Sequence, residues 1–204
     1  MKAYELIEWL NEHHPQKFAE EWDNVGLLVG DDQKEISHVF LALDLTEPVL
    51  DEAVTAGADM ILTHHPMIFS GIKKINNHDF TGRRIMRLIQ NHICYYAMHT
   101  NYDVAKMAEL AEHALHLTNC TPLEVTGVDA DGNAYGIGSV GELPACMSAK
   151  ACCAYVKEAF GLTHVQLFGE PDTDVKRMAV CPGSGGKELM EEALKSGADI
   201  YLTG

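Results

Sequence analysis

His64 and His65 stand side by side after the apolar run Met60-Ile61-Leu62-Thr63 and are followed by Pro66. Two adjacent imidazoles at the carboxyl end of a buried strand are a poor solution to packing and a good one to holding a divalent ion. Neighbouring strand side chains point to opposite faces, so both rings reach one cleft only if the chain leaves strand geometry at His64. Pro66 favours that exit, because it ends the ladder and pushes His65 into an extended or turn conformation. Rings that diverge on such a bend hold one ion together or one ion each.

A second segment has the same layout. Ile93-Cys94-Tyr95-Tyr96-Ala97-Met98 reads as a buried strand, followed by His99-Thr100-Asn101-Tyr102-Asp103 and a helical pattern from Val104 to about His116. Ligands of open α/β sheets gather at the carboxyl ends of strands. His64, His65 and Asp103, with His99 nearby, therefore form a nitrogen and oxygen set for a divalent metal. Asp103 also fits an N-cap for the following helix, and a lone His99 fits a hydrogen-bonded interior histidine. The adjacent histidine pair favours the metal site, and such ligands suit zinc, iron, manganese or nickel without choosing among them.

The elements that carry these residues are partly repeated. Residues 52–63, EAVTAGADMILT, align without gaps with residues 192–203, EALKSGADIYLT, and are identical at Glu52, Ala53, Gly57, Ala58, Asp59, Leu62 and Thr63. Each copy follows an apolar strand, Val39 to Leu43 or Met178 to Cys181, and a turn. Gly57 and Gly197 fall where a helix stops in a left-handed residue. Two related α/β units are expected, although a shared Gly-Ala-Asp helix stop would give the same signal. Between them, Ala134 to Val140 reads as a strand, Ser148 to Phe160 as a helix ended by Gly161, and Val165 to Phe168 as another strand. The alternation predicts an α/β fold of mixed or parallel sheets covered by helices, with one lobe over 1–122 and a second over 123–204.

With 204 residues and 47% hydrophobic content, the chain can build one large or two small cores. Met1 to Leu10 reads as an amphipathic helix without a signal-peptide core or spanning stretch, so a cytoplasmic protein is expected. The six cysteines lack zinc-ribbon or redox spacing and read as buried free thiols, Cys181 included. A formal net charge of -15 argues against a general nucleic-acid surface. It leaves room for one phosphorylated small molecule. Lys73 and Lys74, with Arg83, Arg84 and Arg87 on the next helix, form a basic cluster suited to phosphates beside a metal, or else a solvated helix face. Pro182 to Lys187 lacks the P-loop ending and reads as a tight strand-to-helix turn. His113 and His116 are assigned to an exposed helix face. Glu20 to Gly30 is assigned a backbone role, as an acidic turn before a glycine-flanked strand.

Several of these motifs together resemble the GTP cyclohydrolase 1 type 2 homologues, also called the NGG-one-interacting factor three family. They are Trp22-Asp23-Asn24-Val25-Gly26-Leu27, Thr63-His64-His65-Pro66, His99-Thr100-Asn101-Tyr102-Asp103, Gly183-Ser184-Gly185-Gly186 and Gly197 to Gly204. They span nearly the whole chain in the family's order. The resemblance implies two interlinked α/β lobes, a dinuclear metal centre and a homohexameric ring. It makes His64, His65 and Asp103 metal ligands, with His99 close by. It also implies a hydrolase that opens the imidazole ring of a purine nucleotide, with the basic cluster on the phosphates. Family members continue past the equivalent of Gly204 into an aspartate, a histidine and a glutamate that complete the two-metal site, so a chain shorter than the family's full length is expected. A ring-forming scaffold or interaction protein with structural or regulatory metals would use the same ligands.

Overall fold

Short β-branched and aromatic runs of the first half pair into a four-stranded sheet in the computed structural model, which describes residues 1–204. The strands are β1 (Gly26–Val29), β2 (Val39–Ala42), β3 (Met60–Thr63) and β4 (Cys94–Ala97), in the order β1-β4-β3-β2. β2, β3 and β4 are parallel, and β1 closes one edge antiparallel to β4. Parallel strands need crossover helices. These are α2 (Glu47–Thr55), between β2 and β3, and α3 (Phe80–Gln90), between β3 and β4, while α1 (Ala3–His13) precedes the sheet.

Alternation along the strands sorts the core into two layers. Ile61, Tyr95 and Ala97 face Leu50 and Ala53 of α2 and Leu88 of α3. Met60, Cys94 and Tyr96 face Ala3 and Leu10 of α1. Cover on both faces explains why every residue of β4 is buried. The crossover helices start on side-chain caps: the Thr46 hydroxyl accepts from Val49 N, and the Asp79 carboxylate accepts from Gly82 N.

The second sheet is mixed, in the order β5-β6-β7-β8. β5 (Thr118–Val128), β6 (Ala134–Ser148) and β7 (Asp174–Cys181) are antiparallel neighbours, and β8 (Ile200–Thr203) runs parallel to β7. One face packs on α5 (Ala108–Ala114) and α6 (Ala149–Phe160), the other on α7 (Lys187–Lys195). No helix is long and apolar enough to cross a membrane.

The repeat read from sequence is a repeat of structure. In β2-α2-β3 and β7-α7-β8, equivalent residues pair in equivalent register: Val39 with Met60 through Ala42 with Thr63, and Met178 with Ile200 through Cys181 with Thr203. Gly57 and Gly197 have φ of 67° and 71°, the left-handed stop that glycine adopts without strain. The Asp59 carboxylate accepts from Ser37 N and His38 N, and the Asp199 carboxylate from Lys176 N and Arg177 N. Each clamp ties the end of one helix to the start of the preceding strand.

Three expectations are revised. The chain divides into compact units at Tyr102/Asp103 rather than at 122/123, because Ala111 and Leu115 of the intervening segment pack into the core of the second sheet. Val165 to Phe168 is not a strand; Val165 and Leu167 instead lie against the apolar cluster under α6, packing by side chain without joining the ladder. The helix expected from Val104 begins earlier, as α4 (Thr100–Tyr102), and passes through a π-helical turn at Asp103–Met107 before α5. Asp103 is therefore inside a helical segment and not an N-cap.

Candidate metal centre

The parallel register aligns the carboxyl ends of β2, β3 and β4 at Ala42, Thr63 and Ala97. Just beyond them lie Asp44, the pair His64 and His65, and His99. β3 ends at Thr63, and the chain bends through His64 and His65, so the two rings share a side, with centroids 5.0 Å apart. His99 meets both rings edge-on, at 5.2 Å from His64 and 5.8 Å from His65. One ligand atom from each of the three imidazoles lies within 4.8 Å of the others.

Each ring is also held from behind. Nδ1 of His99 is 3.0 Å from Asp23 Oδ1, and Nδ1 of His65 is 2.8 Å from Asp44 Oδ1. The backbone of Met98 hydrogen-bonds to His64. A ligating histidine typically gives its second ring nitrogen to a carboxylate or carbonyl, which fixes tautomer and orientation. Nδ1 of His65 and Nδ1 of His99 are each engaged by a carboxylate in this way.

The Asp23 side chain has no exposed surface. A buried carboxylate needs partners, and Asp23 takes hydrogen bonds from Thr100 N and Oγ1 and Asn24 N, beside its contact with His99. Burial pushes its pKa up, but the bonds from His99 and Thr100 together outweigh burial and hold it at about 2. His64 is shifted down, first by burial and then by His99 and His65. Both effects favour the neutral imidazole that binds metal.

A hydroxyl pair sets the bend itself. Tyr95 is buried, and its hydroxyl accepts from Met67 N at 2.8 Å and lies 2.7 Å from Thr63 Oγ1. The carbonyl of His65 accepts from either hydroxyl. His65 and Met67, on either side of Pro66, are thus tied to β3 and β4.

Among the other residues singled out from sequence, Asp103 opens the second unit in the π-helical turn, while the three-histidine group is drawn wholly from the first. Lys73 and Lys74 line a hollow of about 450 Å³ with Met67, Phe69, Asp79 and Phe80. The arginines part from them: Arg84 bonds to Glu47, and Arg87 to Glu47 and Asp51, so both serve the packing of α3 on α2. Cys181 is buried, and burial raises its pKa to about 11, as fits a core thiol. Gly183 O, Gly185 N and Thr203 Oγ1 bond one another, and a Cβ at Gly185 would meet Tyr201 Oη, so this turn is closed by its own contacts. His113 and His116 are exposed. The segment Glu20 to Gly30 does more than shape the backbone, since Asp23 orients a candidate ligand. Asp44 was missed as well; its place just past an apolar strand was the available signal.

The Duf34/NIF3 (NGG1p interacting factor 3) family pattern matches residues 1–204. A Clostridium perfringens protein named "GTP cyclohydrolase 1 type 2 homolog" is 35% identical over 206 residues, covering 100% of this chain and 77% of its own length. A relative of the same name from Clostridium acetobutylicum is 35% identical over 208 residues, covering 100% and 76%. Among solved structures, a Bacillus cereus protein related to NIF3 superposes with a TM-score of 0.93 at 25% identity, covering 100% of this chain and 82% of that one. A hypothetical Staphylococcus aureus protein gives a TM-score of 0.89 at 31% identity, covering 100% and 79%. The chain belongs to the Duf34/NIF3 (NGG1p interacting factor 3) family.

Proposed function

We propose that this chain is a metal-dependent hydrolase acting on a phosphorylated small molecule, with a purine nucleotide as the substrate class. The observation that carries the reading is the group His64, His65 and His99, whose ligand atoms lie within 4.8 Å of one another. The donor set fits a divalent ion, because two of the rings are backed by Asp44 and Asp23 and the third by a backbone group. Three imidazoles leave an open coordination position, as catalytic sites require. A divalent ion bound there supplies activation of water and polarisation of the bond to be cleaved.

The protein's own residues do the rest. Asp23 and Asp44 keep the His99 and His65 rings in one orientation, Tyr95 and Thr63 hold the bend that carries His64 and His65, and Lys73 and Lys74 bind phosphate. Asp103, a ligand by family resemblance, adds a carboxylate and with it a second ion. The same resemblance assembles six chains into a ring, which sedimentation would read as six times the 22.4 kDa chain. The relatives' name, GTP cyclohydrolase 1 type 2 homolog, supports a nucleotide substrate.

Formate release from GTP by metal-loaded protein, compared with His64→Ala, tests the activity. Turnover that disappears in the variant is expected. The family name also speaks of an interacting factor, which favours a metal-carrying scaffold as the second reading. Bound metal without turnover of any nucleotide or phosphoester would decide for the scaffold.

A further inference from the structure

Trp22 and Phe69 are two large aromatic side chains left 56% and 54% exposed. They touch each other, with centroids 5.7 Å apart and planes at 44°. Trp22 also meets His99 edge-on at 6.0 Å, so the pair borders the histidine group directly. Their positions are fixed by the residues between them. Asn24 Nδ2 donates to Ile68 O at 2.6 Å, stapling the turn of Trp22 to the loop of Phe69. Asp23, between Trp22 and Asn24, binds His99 and Thr100. Beyond Phe69 the same loop runs into the hollow lined by Lys73 and Lys74.

We infer that Trp22 and Phe69 form a stacking platform for a planar heteroaromatic ring, placed between the metal-ligating histidines and the phosphate-binding lysines. This deepens the hydrolase reading and rests on it for the ion. Exposed aromatic rings beside a polar cluster offer π-faces that accept any nucleobase. The two rings are too close to sandwich a third, which needs roughly 7 Å, two carbon contacts of about 3.5 Å each. The ligand ring therefore lies on the open face of the tilted pair, with its reactive edge toward His99 and its phosphates toward Lys73 and Lys74. The three residues Trp22, Asp23 and Asn24 thereby acquire separate tasks: platform, ring orientation and loop staple.

The chain has two tryptophans, so Trp9→Phe leaves Trp22 as the sole reporter. Metal-loaded Trp9→Phe protein is titrated with GTP, guanosine, ribose 5-phosphate and inorganic triphosphate while tryptophan emission is followed. Saturable quenching by GTP and guanosine, and none by the two ring-free compounds, is expected. Phe69→Ala in this background raises the guanosine Kd about 5- to 150-fold, as loss of a base-stacking contact does. By calorimetry on the parent protein, Trp22→Ala does the same and Trp22→Phe recovers most of the affinity, with metal content unchanged in every variant. Unaltered guanosine affinity in both alanine variants, or no quenching by ring compounds while the protein retains its metal, overturns the platform. Guanosine quenching without turnover would remove the hydrolase reading and keep the platform; turnover with unchanged KM in both alanine variants would do the reverse.

Discussion

At the scale of single residues, the candidate centre depends on groups that lie behind the histidines. Asp23 and Asp44 each face an Nδ1, and such outer partners typically contribute 10- to 100-fold to metal affinity. Asp23→Ala and Asp44→Ala should each raise the dissociation constant for zinc by about 10- to 100-fold, read by competition against a chromophoric chelator. An affinity unchanged in both would show that the carboxylates do not orient the rings. Tyr95→Phe removes the hydroxyl that donates to the carbonyl of His65 and accepts from Met67 N and should weaken binding in the same assay by a smaller factor. The histidines themselves were legible because an adjacent pair after an apolar run has few packing uses. Asp23 was not, since its partner His99 lies 76 positions away and only the folded sheet brings strand ends together.

At the scale of elements, the strand-helix-strand repeat explains how the same local sequence makes two equivalent corners. Backbone hydrogen bonds, from Ser37 at Asp59 and from Arg177 at Asp199, are the largest influence on these carboxyls and hold both below the ordinary Asp range. A depressed folded-state pKa contributes stability that is present above the unfolded value of about 3.9 and is lost as pH falls through the folded value. Asp59→Asn and Asp199→Asn should therefore flatten the acid limb of a stability-against-pH curve measured by urea unfolding, and an acid limb identical to that of the parent would contradict the clamp. Leu50→Ala, in the fully buried core of the first sheet, should cost about 2–5 kcal/mol in the same experiment. Helix stops at Gly57, Gly161 and Gly197 were readable because a left-handed residue has a strong glycine signature. Val165 to Phe168 was misread because a short apolar run looks alike whether it joins a ladder or packs beside a helix. The π-helical turn at Asp103–Met107 has no sequence signature of its own, and Asp103 is of a residue type that favours caps although the helical segment starts at Thr100.

At the scale of the whole molecule, the formal charge of -15 sets the partners the surface tolerates and makes a bound cation a large local change in the field. An ion that binds only the folded state stabilises it by mass action, by about 2.7 kcal/mol at a free concentration 100 times its dissociation constant. Excess chelator should accordingly lower the melting temperature of the parent protein and leave that of His64→Ala unmoved. The most direct test of the centre is the metal content per chain after dialysis against zinc or manganese and removal of free ion, measured by elemental analysis. At least one ion per chain is predicted for the parent, and none for a folded His64→Ala/His65→Ala/His99→Ala variant. A parent chain that retains no ion, or a variant that retains as much as the parent, would contradict the metal centre.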